Sequence, residues 1–372
     1  MLLTRENLEK REKETLAAYA VFSAEAMREF PETADKFRTA YQRDIARIIH
    51  SKSFRRLRGK TQVFVAHHGD HFRNRLTHTL EVAQISRSLA RNLGLNEDLA
   101  EAISLAHDLG HTPFGHVGEE KLNELLQPFG EGFEHNRQSR RILTTLEKKY
   151  PDFDGLNVSL ELLDGLHKHQ SSYDQLEEKF QTSPSLEAQL VNLADEIAYT
   201  NHDIDDGLRA GIFAREDLAG FALWQEALKK VDTKLPVEAF HHRAVSAVIE
   251  LLTTDLLLTT EKNLQTNSIT TLAEVKAFSK PLVRFSSETH QSLAQLRQFL
   301  FANFYNSETV AELSNQGAAT IQKIFAALIA NPKLLPIEFA LRLEKDSLHQ
   351  VCADFLAGMT DNYANEFAAR LG

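Results

Sequence analysis

A single cysteine, Cys352, stands in 372 residues, so no intrachain disulfide can form and no thiolate cluster can hold a metal. That scarcity suits a reducing compartment, and the cytoplasm is the expected location. Proline and glycine are also sparse, at 9 and 16 residues, which leaves few breaks in a pattern dominated by helical periodicity. No long apolar run occurs. The most apolar segment, AVSAVIELLTTDLLLTT (244–260), is interrupted by Glu250 and Asp255. It predicts a buried helix rather than a membrane span. The first residues, MLLTRENLEKREKETL, lack both an apolar stretch and a cleavage-site pattern, so no signal peptide is expected. Positive charge is in deficit. The net charge of −10 excludes general affinity for nucleic acid or anionic membrane. Repeats, low-complexity tracts and long linkers are absent too.

What is present is apolar content of 42%, enough for a sizeable core and incompatible with wholesale disorder. Amphipathic helices are predicted over 76–94, 96–110, 117–130, 185–208 and 291–305, with several more in 236–360. In the first of these, Leu76, Leu80, Ala83, Ile85 and Leu89 are expected on one buried face. The second has Asn96 as its cap, acidic residues in its first turn and a glycine stop. Only TQVFVAHHGDHF (61–72) resembles a strand or ribbon, an apolar run turning at Gly-Asp. The fold class is therefore all-α, with a small β-ribbon near residues 61–72. Charge is unevenly spread. Nine Lys/Arg between Arg43 and Arg75 face only Asp44 and Asp70, a local balance of +7. Such a stretch is either an anion site or a solvated helix face.

Eight of the sixteen histidines fall between His67 and His135, and HDLGHTPFGH (107–116) holds three of them. His107 and Asp108 are adjacent at a helix end. Neighbouring helical residues diverge by about 100°, so both reach one ion only where Gly110 lets the chain turn. Imidazole with carboxylate suits divalent Mn, Fe, Zn, Co or Ni. Further ligand candidates are His78, inside an apolar helix, and Asp195, in LVNLADEIAY. Taken singly, each of these reads more readily as a hydrogen-bonded core residue. Asp195, Tyr199 and Asp203 lie at i, i+4 and i+8 along one helix face, and Arg75 and His78 are three apart. His116 and Glu119 are also three apart, at a helix start where a carboxylate can orient an imidazole and raise its pKa. A metal set, an oriented His–Glu pair, a basic stretch and a phenol together point to hydrolysis of a phosphate ester. The metal would polarise a phosphoryl oxygen or lower the pKa of bound water to about 7, and arginines would hold the phosphates.

The pattern His78 … His107-Asp108 … Asp195 resembles the HD-superfamily metal signature. The blocks RDIARIIHSKSFRRLRGKTQVF (43–64), RNRLTHTLEVAQISRSLARNLGL (73–95), LAHDLGHTPFGHVGE (105–119), FEHNRQSRRIL (133–143) and LADEIAYTNHDIDDGL (193–208) resemble, in this order, the deoxyguanosine-triphosphate triphosphohydrolase family of bacterial dNTPases. The likeness covers residues 10–210 and continues more weakly through 280–305. It implies a helical HD-domain bundle, here an N-terminal helical arm over 1–40, a catalytic core over 41–215 and a helical extension over 216–372 packed on the core. It implies cleavage of a dNTP between the 5′ oxygen and the α-phosphorus, giving deoxynucleoside and intact triphosphate. By the same resemblance, His78, His107, Asp108 and Asp195 hold one divalent metal (Mn, Mg, Fe, Co or Ni). His116 and Glu119 form the acid/base pair, and His111 and His135 line the phosphates. Arg75 contacts the α-phosphate, Tyr199 and Asp203 meet the deoxyribose, and Gln62 approaches sugar and base. Certain relatives carry a lysine after the last metal aspartate. Here that residue is Glu196, so Arg209 and Arg243 become the candidates for the missing phosphate charge. The partners implied are the dNTP substrate, a dNTP effector, weak single-stranded DNA contact and a homo-oligomer, a hexamer by analogy. No membrane partner is implied. The chain is shorter than the longest members, which puts the effector and DNA insertions in question. Two other readings stay open at this point: an HD nucleotidase acting on monophosphates, and a nucleotide- or single-strand-DNA-binding regulator.

Overall fold

A computed structural model describes residues 2–62, 73–167, 182–232, 234–305 and 308–372. Among these the chain forms seventeen α-helices and no strand. The all-α expectation therefore holds. Of the expected ribbon at 61–72, residues 63–72 lie outside the described residues, and Thr61, within it, forms an isolated antiparallel bridge with Asn74.

The chain divides into two compact units. One comprises residues 1–45, 80–104 and 159–307; the other comprises 46–79, 105–158 and 308–372. The N-terminal segment is helical over Arg5–Thr15, which buries no side chain.

The first unit is built on Leu186–Arg209, a helix buried along almost its whole length. The helices Leu160–His167, Val237–Thr266 and Ser287–Leu300 pack on it. Ser185 caps it by accepting from the Ala188 amide. The carboxylate of Glu187, fully buried, accepts from the amides of Val21 (2.9 Å) and Asn96 (3.2 Å). Asn96 in turn accepts from the Leu99 amide and donates to the Val21 carbonyl. The expected Asn96 cap is thus real, and it ties the N-terminal segment to the start of the Glu97–His107 helix.

Two expectations about buried faces need correction. Leu80 is 50% exposed. Of the expected stripe Ala83, Ile85 and Leu89 are buried, but the first turn of the Arg75–Asn92 helix buries Arg75, His78 and Thr79, and Leu80 points away. The 244–260 segment is not buried all round either. It lies within the thirty-residue helix Val237–Thr266, which buries Val248, Leu252 and Leu256 but exposes Leu258. Glu250 is exposed and half-buried Asp255 accepts from the Ser286 amide at 2.8 Å, so neither breaks the helix.

The second unit carries most of the histidines that are described. Its core joins Leu122 and Leu126 of Gly115–Leu126 to Ile321, Phe325 and Leu328 of Glu308–Ala330, and to Val351 and Phe355 of Leu348–Ala357. Each such side chain contributes about 1.5–3 kcal/mol by burial. The helix beginning at Gly115 is therefore anchored, and so is the loop that leads into it.

Candidate active site

HDLGHTPFGH starts at a helix end and stays tightly wound. His107 closes Glu97–His107, and Asp108–Gly110 continues as a single 3₁₀ turn. Gly110 is more than a stop signal. A Cβ there would lie 2.1 Å from the His135 carbonyl oxygen and 2.4 Å from the Ser139 amide, so only glycine lets the His135–Arg141 helix come this close. The Ser139 hydroxyl locks the contact. It donates to the His107 carbonyl (2.7 Å) and accepts from the Gly110 amide (2.8 Å). This is how His135, twenty-eight positions along the chain from His107, comes to lie beside His111.

Asp108 sits at the centre of the second unit's polar cluster. Its Oδ1 is 3.4 Å from His107 Nε2 and 3.1 Å from His111 Nε2. Its Oδ2 accepts from Arg75 Nη1 at 3.1 Å and lies 3.8 Å from His78 Nε2. The His78 and His107 rings are 5.6 Å apart at 60°. All five side chains are buried. Burial alone would raise the Asp108 pKa, but His107, Arg75 and His111 outweigh it and hold the carboxyl well below its usual range. An ionised carboxylate with two converging imidazoles is a donor set that fits a divalent cation. Arg75 Nε and Nη2 are buried without a hydrogen-bond partner among the described residues. Unmade donors on a buried cation are costly, and an anion placed there would satisfy them. Gln62 is half-buried, and its Oε1 likewise lacks a partner among the described residues.

Beside this cluster is a group of three histidine rings around one carboxylate. Glu119 accepts from the His135 amide (2.9 Å) and contacts His135 Nδ1 at 3.1 Å. Its other oxygen lies 3.6 Å from His111 Nδ1. His111 stacks on His135, centroids 4.0 Å apart, and meets His116 edge-on at 5.5 Å. His116 offers a nitrogen within 4.8 Å of Glu119, and the carboxylate also bonds to His135. Burial opposes ionisation of Glu119, yet His135, His111 and His116 together pull its pKa far below the usual carboxylate range. For His116 the expectation of a raised pKa is corrected. Its side chain is exposed, but the protein atoms crowded around it, then Arg75, lower its pKa against an upward pull from Glu119. Burial and Arg75 likewise push His111 well below its ordinary value.

In the first unit, Asp195, Tyr199 and Asp203 are all buried along the Leu186–Arg209 helix. Glu196, which replaces a lysine of certain relatives, is neutralised by Arg297 Nη1 at 2.5 Å. Burial raises its pKa while Arg297 opposes that. The same Arg297 Nη1 donates to the Tyr199 hydroxyl at 3.3 Å. Arg209 is engaged by Asp205 (3.1 Å) and His242 (2.9 Å), and Arg243 is exposed. Next along the helix from Asn201, the buried His202 bonds to Glu81.

Sequence reasoning missed three residues. Arg297 sits in the weaker block of likeness and had no local partner to signal its role. Lys60, within the quoted KTQVF, is buried and donates to the carbonyls of His111 and Ala357. Asp361 grips Thr61 and the Phe114 amide from a C-terminal helix with no motif.

Residues 75–200 match the HD domain, and residues 283–370 match the phosphohydrolase-associated domain. A deoxyguanosinetriphosphate triphosphohydrolase-like protein of Geobacter sulfurreducens is 45% identical, covering 100% of this chain and 98% of its own. Proteins of the same description from Azoarcus sp. and Leptospira interrogans are 45% and 40% identical, covering 96% of both chains and 98% of both chains respectively. The Arg75–His78 helix start, the His107–Asp108 turn and Asp195 all fall inside the HD match, and the chain belongs to the deoxyguanosinetriphosphate triphosphohydrolase-like family of HD-domain phosphohydrolases.

Proposed function

We propose that the protein hydrolyses deoxynucleoside triphosphates at the α-phosphorus, releasing a deoxynucleoside and intact inorganic triphosphate. The observation that carries this reading is Arg75. It is a buried guanidinium that spends one donor on Asp108 and keeps two unfilled, beside a carboxylate–imidazole set and the Glu119 histidine group. A triphosphate supplies the anionic oxygens such a fork lacks.

In this reading His78, His107 and Asp108 hold one divalent metal, and Asp195 is the fourth ligand by its place in the matched motif. The ion, manganese or magnesium among the candidates, would supply Lewis acidity at the phosphoryl oxygen. The remaining work is done by side chains. Arg75 orients the α-phosphate. His111 and His135 line the other phosphates, with Glu119 holding His135 in place. His116, whose side chain is exposed beside Glu119, accepts a proton from the attacking water. The imidazolium so formed, close to Glu119, can return that proton to the departing 5′ oxygen. Tyr199 and Asp203 are assigned to the deoxyribose and Gln62 to sugar and base. Arg209 and Arg243 remain candidates for outer phosphate contacts. Arg209 would first have to leave Asp205 and His242. A homo-oligomer, a dNTP effector and a cytoplasmic location belong to the same proposal. No described helix is long and apolar enough to cross a membrane.

The test is a panel of four dNTPs and four NTPs with Mn, Mg, Co and Ni, singly and in mixtures, with products resolved by ion exchange. Inorganic triphosphate from dNTPs supports the reading. Orthophosphate from monophosphates supports the nucleotidase alternative.

A further inference from the structure

Residues His111 to His116 hold their shape through groups far away in the chain. Lys60 Nζ donates to the His111 carbonyl and, at 2.9 Å, to the Ala357 carbonyl. Ala357 ends the Leu348–Ala357 helix, where carbonyls attract a cation. Asp361 opens the next helix, Asp361–Arg370, where amides favour an anion. Its Oδ1 accepts from the Phe114 amide at 3.0 Å. Its Oδ2 accepts from the Thr61 amide at 2.9 Å and from the Thr61 hydroxyl. The loop is thus gripped by the Lys60 amine at His111 and by the Asp361 carboxylate at Phe114. The segment Lys60–Gln62 is fixed by the same two groups.

The held conformation is a strained one. Phe114 has φ of 63°, in the left-handed region that a phenylalanine avoids. Two contacts impose it. One is the bond to Asp361. The other is Gly317 in the Glu308–Ala330 helix, whose missing Cβ would lie 2.8 Å from Phe114 Cβ and Cγ. Phe114 immediately precedes the Gly115–Leu126 helix that carries His116 and Glu119.

We infer that Asp361, with Gly317 as the seat for Phe114, is a positioning residue that sets the placement of His111, His116 and Gln62 from the C-terminal helices. The inference rests on reading that loop as catalytic. A displacement of about 1 Å at such a loop costs on the order of 10²-fold in turnover.

Two variants of the full chain test it. Asp361→Asn keeps size and shape but must aim an NH₂ group at either the Phe114 or the Thr61 amide, so one grip fails. Gly317→Ala improves the intrinsic helix propensity of its own helix while displacing Phe114, whose near side-chain atoms cannot swing away. Steady-state turnover of dGTP with manganese is measured alongside hydrogen exchange of peptides covering 60–62, 111–118 and, as a remote reference, 186–209. Each variant is expected to lose about 10–100-fold in kcat with KM within threefold. Loop peptides should exchange at least tenfold faster while 186–209 is unchanged. The inference is overturned by kcat within twofold of wild type, or by exchange that is unaltered in the loop or raised uniformly in all peptides. A wild-type protein that does not turn over dGTP refutes the catalytic reading alone, and the exchange data then decide the positioning claim.

Discussion

Replacing Glu119 with Gln removes one charge at the point where three histidine rings meet. The amide oxygen can still accept from the His135 backbone N–H, now at 2.9 Å. The same oxygen also meets His135 Nδ1 at 3.1 Å and loses its charge, and the second oxygen, 3.2 Å from Nδ1, is the one replaced by an NH₂ group. Loss of one charge-assisted bond in a largely buried setting costs about 1.5–3 kcal/mol. The pH dependence has a definite sign. The pKa of Glu119 is depressed in the folded chain, so its stabilisation is fully present above the ordinary value of 4.5 and is lost as pH falls through the folded value. The variant should therefore melt below wild type at pH 7, with the gap closing as the pH drops below about 4.5. Turnover should fall by about 10²–10⁴-fold, the range for a disabled acid/base pair. Paired melting curves from pH 3 to 8 and single-turnover rates on one preparation make the assay. A variant within fivefold of wild-type rate, with a pH-independent melting difference, would refute both the pairing and its role.

Tyr199→Ala should raise activity on GTP relative to dGTP, because steric rejection is lost more readily than rebuilt; an unchanged ratio removes Tyr199 as the gate. His107→Ala should lose both bound metal and turnover while far-UV circular dichroism stays helical; full metal content by elemental analysis would contradict the ligand assignment. Lys60 has its pKa lowered to about 7, chiefly by burial and then by Arg75. Between that value and 10.5 the unfolded chain binds the extra proton, so stability rises with pH. The stability of wild type relative to Lys60→Met should climb by about 1.4 kcal/mol per pH unit across that window; parallel curves would show that Lys60 keeps an ordinary pKa.

Periodicity located the helices because each has an apolar stripe, and the Asn96 cap was legible because a cap and its target are three residues apart. The residues proposed to hold the metal were legible as motif. What escaped was set by tertiary contact. Leu80 fits an apolar pattern, yet Arg75, His78 and Thr79 hold the inward face. Glu119 was expected to orient His116, its neighbour by one turn. It also bonds to His135, sixteen residues on, because Gly110 and Ser139 draw that helix in. Glu196 looked like a missing positive charge, and its counterion Arg297 lies about a hundred positions away. Asp361 is 247 positions from Phe114. Partners at such separations leave no periodic trace in the sequence.

The central claim is that water attacks the α-phosphorus and the triphosphate leaves whole. One turnover of dGTP in ¹⁸O-water, with all products resolved by mass spectrometry, tests it most directly. The account predicts one labelled oxygen in inorganic triphosphate, an unlabelled 5′-hydroxyl on the deoxynucleoside and no orthophosphate. Label in the nucleoside, or orthophosphate as the first product, would contradict it.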